Sequence, residues 1–179
     1  MPSLYTLAVP AILRGVKNAA AFLAYAENYA KQNNIDPEEY LSASLYPDMR
    51  DFRFQIYRIA DFAKYTATRV AKDVDSFSQP DTEQTFPELI AKLQAVIAFL
   101  EGVKEEQFEG QDDKEIVVHV GSERNLEIKL IDYINYYNSP NFWFHLTTAY
   151  DILRHKGVDV GKGHFLNASG ETKITVLQK

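Results

Sequence analysis

The residues with the most chemical capacity in this chain lie between Pro140 and Val158. There Asn141, His145, Thr148 and Ile152 follow one another at spacings of four, three and four. Those intervals place an amide, an imidazole and a hydroxyl on one face of a helix. The only tryptophan, Trp143, and two phenylalanines, Phe142 and Phe144, share the segment. Polar groups in an apolar helix need partners, and a convergent set of them is how small-molecule pockets are usually lined. A further candidate, Gln55, interrupts the stripe Phe52, Ile59, Phe62 and Thr66 on another helix. An amide there either joins a structural hydrogen-bond network or contacts a ligand. Asp48, at the start of that helix, either caps it or orients a polar group. Two readings of His145 carry equal weight. It is a core histidine held by Gln55, Asn141 or a buried water, or it is a binding or catalytic group whose proton transfer needs a pKa near neutrality.

Other chemistries lack their residues. The chain has no Gly-x-Ser-x-Gly turn, no His-x-x-x-His pair and no phosphate loop, so common hydrolase, metalloprotease and nucleotide signatures are missing. It has no cysteine, which removes disulfides, thiolate ligands and thiol nucleophiles and suits a reducing compartment. Gly161-Lys162-Gly163-His164 reads as a mobile tail rather than an anion-binding loop. His119 reads as a surface residue. His155 closes a helix, where the dipole favours a positive ring. Asp61 and Lys64, three residues apart, read as a surface pair worth ~0.2–0.5 kcal/mol. A formal charge of −6 argues against a general nucleic-acid binder, which needs a basic surface. Leu4 to Ala30 is apolar-rich, but Arg14, Lys17 and Glu27 interrupt it. It is neither a membrane span nor a secretory signal but an amphipathic helix of a cytoplasmic protein.

The elements that must position these residues follow from periodicity and caps. A first helix is predicted from Tyr5 to Gln32, with Pro10 as a kink or as its true first turn. Asp36-Pro37 caps and opens a short helix reaching Ser44. Pro47 opens a second long helix continuing to Lys72, and Asp73 to Gln84 form a polar loop. Thr85-Phe86-Pro87-Glu88 is a capping box that starts a third helix packing Leu89, Leu93, Val96, Ile97 and Leu100 and ending near Gly102. The period then changes. Residues 116–120 and 126–130 form a β-hairpin around a five-residue loop. The fourth helix runs from Ile131 to Lys156, kinked or restarted at Pro140 and terminated by Gly157. The tail from Val158 reads as loop, with a short strand at Ile174 to Leu177. At 179 residues this is one domain, all-α, a four-helix bundle with an inserted hairpin near 116–130.

Several segments together resemble one family. They are Tyr5-x-x-x-Val9-Pro10, Arg14-Gly15-x-x-Asn18, Leu45-x-Pro47-Asp48-Met49, Gln55-x-x-x-x-x-Asp61-x-Ala63-Lys64, and the long run Asn141-Phe142-x-Phe144-His145-x-Thr147-Thr148-Ala149-Tyr150-x-Ile152-Leu153-Arg154-His155-x-Gly157-Val158. They are similar to the domain-of-unknown-function family nineteen-ninety-three, over roughly residues 5 to 166. The resemblance implies a DinB/YfiT-like bundle of up-down-down-up topology over residues 1–166, with a tail at 167–179, and no assigned activity. The wider superfamily includes thiol-dependent transferases and isomerases that hold a divalent metal with three histidines. In register with that pattern, Gln55, Asn141 and His145 occupy the ligand positions. Neutral amide oxygens are poor donors for zinc or nickel compared with imidazole. The first expectation is therefore a small-molecule pocket around His145, with Asp48, Gln55, Asn141 and Thr148 as ligand contacts and no tightly bound metal. The alternatives are a metal-dependent transferase or isomerase with a degenerate ligand set, and a non-catalytic homodimeric scaffold.

Overall fold

In the computed structural model, residues 2–75 and 77–175 are described. The protein is mostly helical with one two-stranded antiparallel hairpin. In chain order it contains α1 (Leu4–Ala8), α2 (Pro10–Gln32), α3 (Glu38–Leu41), α4 (Phe52–Thr68), α5 (Phe86–Glu101), β1 (Glu115–Val120), β2 (Arg124–Lys129), α6 (Leu130–Asp132), α7 (Ser139–His155) and α8 (Lys162–Asn167). The four long helices share one hydrophobic core. Within it α2 packs on α5 and α4 packs on α7, with further contacts of α4 on α5 and of α2 on α4 and α7. Phe22, Phe52, Phe86 and Phe142 are among its largest fully buried side chains.

Local chemistry accounts for most element ends. Pro10 occupies the first turn of α2, so its missing N–H breaks the chain into α1 and α2 rather than kinking one helix. The Asp36 carboxylate accepts from the Glu38 amide at 2.9 Å and opens α3. Thr85 and Glu88 form a full capping box on α5, and the predicted apolar positions Leu89, Leu93, Val96, Ile97 and Leu100 are all buried. Helix α7 ends at His155, and Gly157, at φ +89°, takes the left-handed conformation that stops it.

Four expectations are corrected. Pro47 does not open α4: the chain turns through residues 45–49, and Asp51 caps the helix by accepting from the Phe54 amide at 3.0 Å. Asp48 is thus an exposed turn residue, three positions before the cap. The hairpin loop is shorter than five residues, because Arg124 and Asn125 pair with Val120 and His119. The helix expected from Ile131 is divided by a π-helical turn, Tyr133–Asn138, directly before Pro140, whose ring and missing N–H disrupt regular i to i−4 bonding. Finally, the tail is not all loop: α8 forms within it, and Phe165 places its ring 6.3 Å from Trp143 and 5.7 Å from Tyr150. Ile174 and Thr175 are not in a strand, and Val176 and Leu177 lie outside the described residues.

Leu4–Gln32 is, among the described residues, one stretch long and apolar enough to cross a membrane by length and composition. Its apolar side chains Ile12, Val16, Phe22 and Leu23 are fully buried in the core, as expected for the core helix of a folded domain.

Candidate functional site

Gln55 and His145 meet. Gln55 is on the first turn of α4 and His145 on the second turn of α7, and the packing of these two helices sets their side chains against each other. His145 Nδ1 lies 2.8 Å from Gln55 Oε1. The proton on this bond can be assigned. Gln55 Nε2 donates to the Arg50 carbonyl at 3.0 Å, and a carbonyl only accepts. The amide oxygen is therefore the group facing the ring, and Nδ1 must donate to it. Nε2 is then the bare nitrogen of a neutral imidazole, and it has no hydrogen-bond partner among the described residues.

Aromatic rings wall the imidazole. Phe62 stacks on it at 5.7 Å and 14°, while Phe54 and Phe144 approach at 6.1 and 5.3 Å with their planes nearly perpendicular. Gln55 and Phe62 are seven residues apart on α4, two helical turns. The turn between them carries Arg58, close enough for its charge to act on the ring. The Arg58 guanidinium in turn sits 5.1 Å from the centre of the Phe54 ring. Burial, followed by the Arg58 charge, lowers the His145 pKa from 6.5 to about 4. Both causes act against the protonated form. At neutral pH the ring is a hydrogen-bond acceptor, and it lacks the near-neutral pKa on which proton transfer would rest.

Asn141 and Thr148 lie on the same face of α7 but each bonds to a backbone carbonyl one turn back along the chain. Asn141 Nδ2 donates to the Tyr137 carbonyl at 2.7 Å, and Thr148 Oγ1 donates to the Phe144 carbonyl at 2.8 Å. Asn141 keeps its Oδ1 without a partner among the described residues, one turn from His145. Asp48 is not brought into this group. Its place on the entry side of α4 is taken by Arg50, whose carbonyl holds Gln55.

Arg58 lies outside the stripe of Phe52, Gln55, Ile59, Phe62 and Thr66, so its own position does not mark it as a site residue. Its place midway between Gln55 and Phe62 was the available signal. It also starts a chain of charges. Arg58 pairs with Asp61 at 2.9 Å and with Asp81, and Asp61 pairs with Lys64 at 2.7 Å. Asp61 and Lys64 are each only 7% exposed. The surface pair expected from sequence is therefore a buried one. On the far side, Lys92 donates to the Pro80 carbonyl at 2.7 Å and to Glu83 at 3.2 Å, which fastens the α4–α5 loop over the two helices.

As a metal site the residues do not fit. Gln55 Oε1 is engaged by the imidazole N–H, which leaves one imidazole nitrogen and the neutral Asn141 Oδ1 as donors, a set too small and too weak for the metals that three histidines would hold. Among the described residues no three His, Cys, Asp or Glu side chains cluster closely enough to hold a metal ion.

The opposite side of α7 carries a different feature. Trp143 and His145 are two residues apart, about 200° around the helix. Against Trp143 lies a concavity of about 470 Å³, lined by Pro10, Ala11, Arg14, Gly15, Asn18, Trp143, Phe165 and Leu166. Three of these residues, Arg14, Gly15 and Asn18, form the second of the sequence segments singled out above.

The family model described as "Domain of unknown function (DUF1993)" matches residues 4–166. A crystal structure of a DinB family member protein from Shewanella denitrificans is similar over 96% of this chain and 96% of its own, with a TM-score of 0.83 and 30% sequence identity. No curated protein matches.

Proposed function

Starting from the chain's membership of the family described as domain of unknown function (DUF1993), we propose that it is a DinB-like four-helix bundle of the cytoplasm that binds a small organic molecule beside His145, between α4 and α7, without a tightly held metal. The observation that carries this reading is the Gln55–His145 bond with its fixed tautomer. It turns a bare imidazole nitrogen away from Gln55 and next to three aromatic rings. Asn141 Oδ1 adds a second acceptor one turn away. Two acceptors set among ring faces and edges suit a neutral ligand that presents N–H or O–H donors from an apolar or planar body. Arg58 is already paired with Asp61 and Asp81, so the ligand need not carry a charge.

The geometry favours binding over proton-transfer catalysis. A ring with a pKa of about 4 is a poor base for reactions at neutral pH, where an efficient one titrates close to the working pH. The metal-dependent transferase reading draws no support from the donor set described above. The test is a thermal-shift screen of neutral metabolites on the wild type and on His145→Ala. Ligands that raise the melting temperature of the wild type and leave His145→Ala unmoved are expected. Uniform silence, or stabilisation that persists without the imidazole, would refute the reading.

A further inference from the structure

We propose that the concavity between α2, α7 and α8 is a second binding site, for an amphipathic monocarboxylate whose apolar body lies on Trp143 and whose carboxylate pairs with Arg14.

Its size and lining carry the first half of the argument. About 470 Å³ falls in the range of small-molecule sites, roughly 300–1,000 Å³. Pro10, Ala11, Trp143, Phe165 and Leu166 supply an apolar wall. Leu166, at 55% exposure, is one of the large apolar side chains the fold leaves in solvent. It sits on the rim, where a bound apolar body would cover it.

The polar end carries the second half. Of the two polar residues in the lining, Asn18 is committed to the fold. It donates to the Phe165 carbonyl at 3.2 Å and accepts from the Ser169 amide and hydroxyl at 3.1 and 2.8 Å. Arg14 is the one charged side chain in the lining, and its partners come from the end of α8 and the segment that follows it. Its Nη2 donates to Asn167 Oδ1 at 3.2 Å and to Thr172, and its Nη1 lies 3.6 Å from the Glu171 carboxylate. The chain itself therefore places a carboxylate on this guanidinium. That contact is long and solvent-facing, with both side chains about a third exposed, so it is weak and exchangeable. Glu171 does not depend on it, because it also binds Lys17 at 2.8 Å. A ligand carboxylate can take the Arg14 position while Glu171 stays on Lys17. The apolar wall would then add the selectivity that a bare surface arginine lacks.

This site is separate from His145, which points to the other side of α7, and the two can be tested independently. Trp143 is the only tryptophan and lines the concavity, so its fluorescence reports on a ligand seated there, and the variants below separate that from binding on the other face of α7. Decanoate, kept below its micelle range, is titrated into the full chain, with 1-decanol as the uncharged match. A saturable change with decanoate is expected, with 1-decanol weaker by about tenfold or more, in line with a charge-assisted contact. Arg14→Gln should weaken decanoate similarly, Leu166→Glu should abolish the response, Glu171→Gln should tighten it, and His145→Ala should leave it unchanged. Leu166 is exposed, so that variant keeps the fold, and circular dichroism checks it. No saturable change, equal response to decanol, or a response insensitive to Leu166→Glu would overturn the proposal. So would a response lost in His145→Ala but kept in Leu166→Glu, which would assign the probe to the other face of α7.

Discussion

Acidification should weaken the fold through His145 in a way that one substitution isolates. In the unfolded chain a histidine takes up its proton near pH 6.5. In the folded protein the ring is held neutral down to about pH 4, first by burial and then by Arg58. Between these values the unfolded state binds the additional proton, so stability rises with pH across this window and falls as pH is lowered. The contribution is fully present above about pH 6.5 and is lost by about pH 4. A pKa moved from 6.5 to about 4 corresponds to at most ~3 kcal/mol. The ring is only half-buried, and solvent screening reduces this to ~1–2 kcal/mol. For a chain of this length that is a melting-temperature change of roughly 2–8 °C.

Carboxylates titrate in the same range, so the wild type alone is not diagnostic. The comparison is with His145→Gln, which keeps a donor toward Gln55 and removes the titration. Urea unfolding of both proteins at half-unit steps from pH 7.5 to 4 gives the difference in stability as a curve. It should be flat above pH 7, bend near 6.5 and reach ~1–2 kcal/mol in favour of the variant, relative to its neutral-pH value, by pH 4. Proton NMR of the imidazole gives the midpoint directly, with His119, His155 and His164 in the same spectrum. A difference curve flat throughout, or a His145 midpoint near 6.5, would refute the reasoning that burial and Arg58 hold the ring neutral.

Three further outcomes follow from the packing. Gly15→Ala should lower stability by ~1–3 kcal/mol in urea unfolding, although alanine gains up to ~1 kcal/mol in helix propensity. The new Cβ would lie 2.6 Å from Phe142 Cε1 and 3.1 Å from Trp143 Cη2, and a Phe142 ring with no exposure has nowhere to move; a stabilised variant would contradict this. Thr85→Ala removes the side chain that caps α5 and should cost ~1 kcal/mol in the same assay, with no change in m-value. Lys92→Met deletes the ammonium that holds the Pro80 carbonyl and Glu83. It should expose the Phe77 side chain, now stacked on Phe99 at 5.0 Å, to chymotrypsin; unchanged cleavage at Phe77 would show that the loop is held by other contacts.

Most of the fold was legible because local rules and tertiary packing agreed. The capping box at Thr85, the alternation of residues 126–130 and the terminator at Gly157 each have a mechanism that acts within a few residues. The corrected elements are those where two local signals competed. Pro47 carries a start signal without a side-chain acceptor, whereas the Asp51 carboxylate reaches the orphan Phe54 amide and sets the start of α4. Pro140 announces an interruption but not its form, and a π-helical turn depends on how Tyr133 and Asn138 pack. Tyr133 donates to Asn138 Oδ1 at 2.9 Å, and Asn138 donates to the Phe62 carbonyl of α4 at 3.0 Å, a link across 76 residues of sequence that periodicity does not encode. Helix α8 is six residues long, too short for a period, and owes its place to Asn18 and Trp143. At the site, Gln55 and His145 were found because each breaks an apolar pattern. Arg58 breaks none and was missed. The burial of Asp61 and Lys64 escaped for a related reason: a charged pair at i, i+3 looks alike on an exposed face and under a loop.

The residues found by pattern also explain one another. A lone histidine would ordinarily be free to choose either tautomer and to titrate near neutrality. Gln55 removes the first freedom. Its N–H group must serve the Arg50 carbonyl, so its oxygen must take the Nδ1 proton, and Nε2 is left bare. The aromatic walls and Arg58 remove the second freedom, because they penalise the only state in which Nε2 would carry a proton. A carboxylate in place of the Gln55 amide would reverse that penalty by pairing with an imidazolium. An amide binds the ring without charging it. The pair therefore supplies a fixed acceptor at neutral pH. Such an acceptor suits recognition of a donor-bearing ligand and does not suit moving a proton.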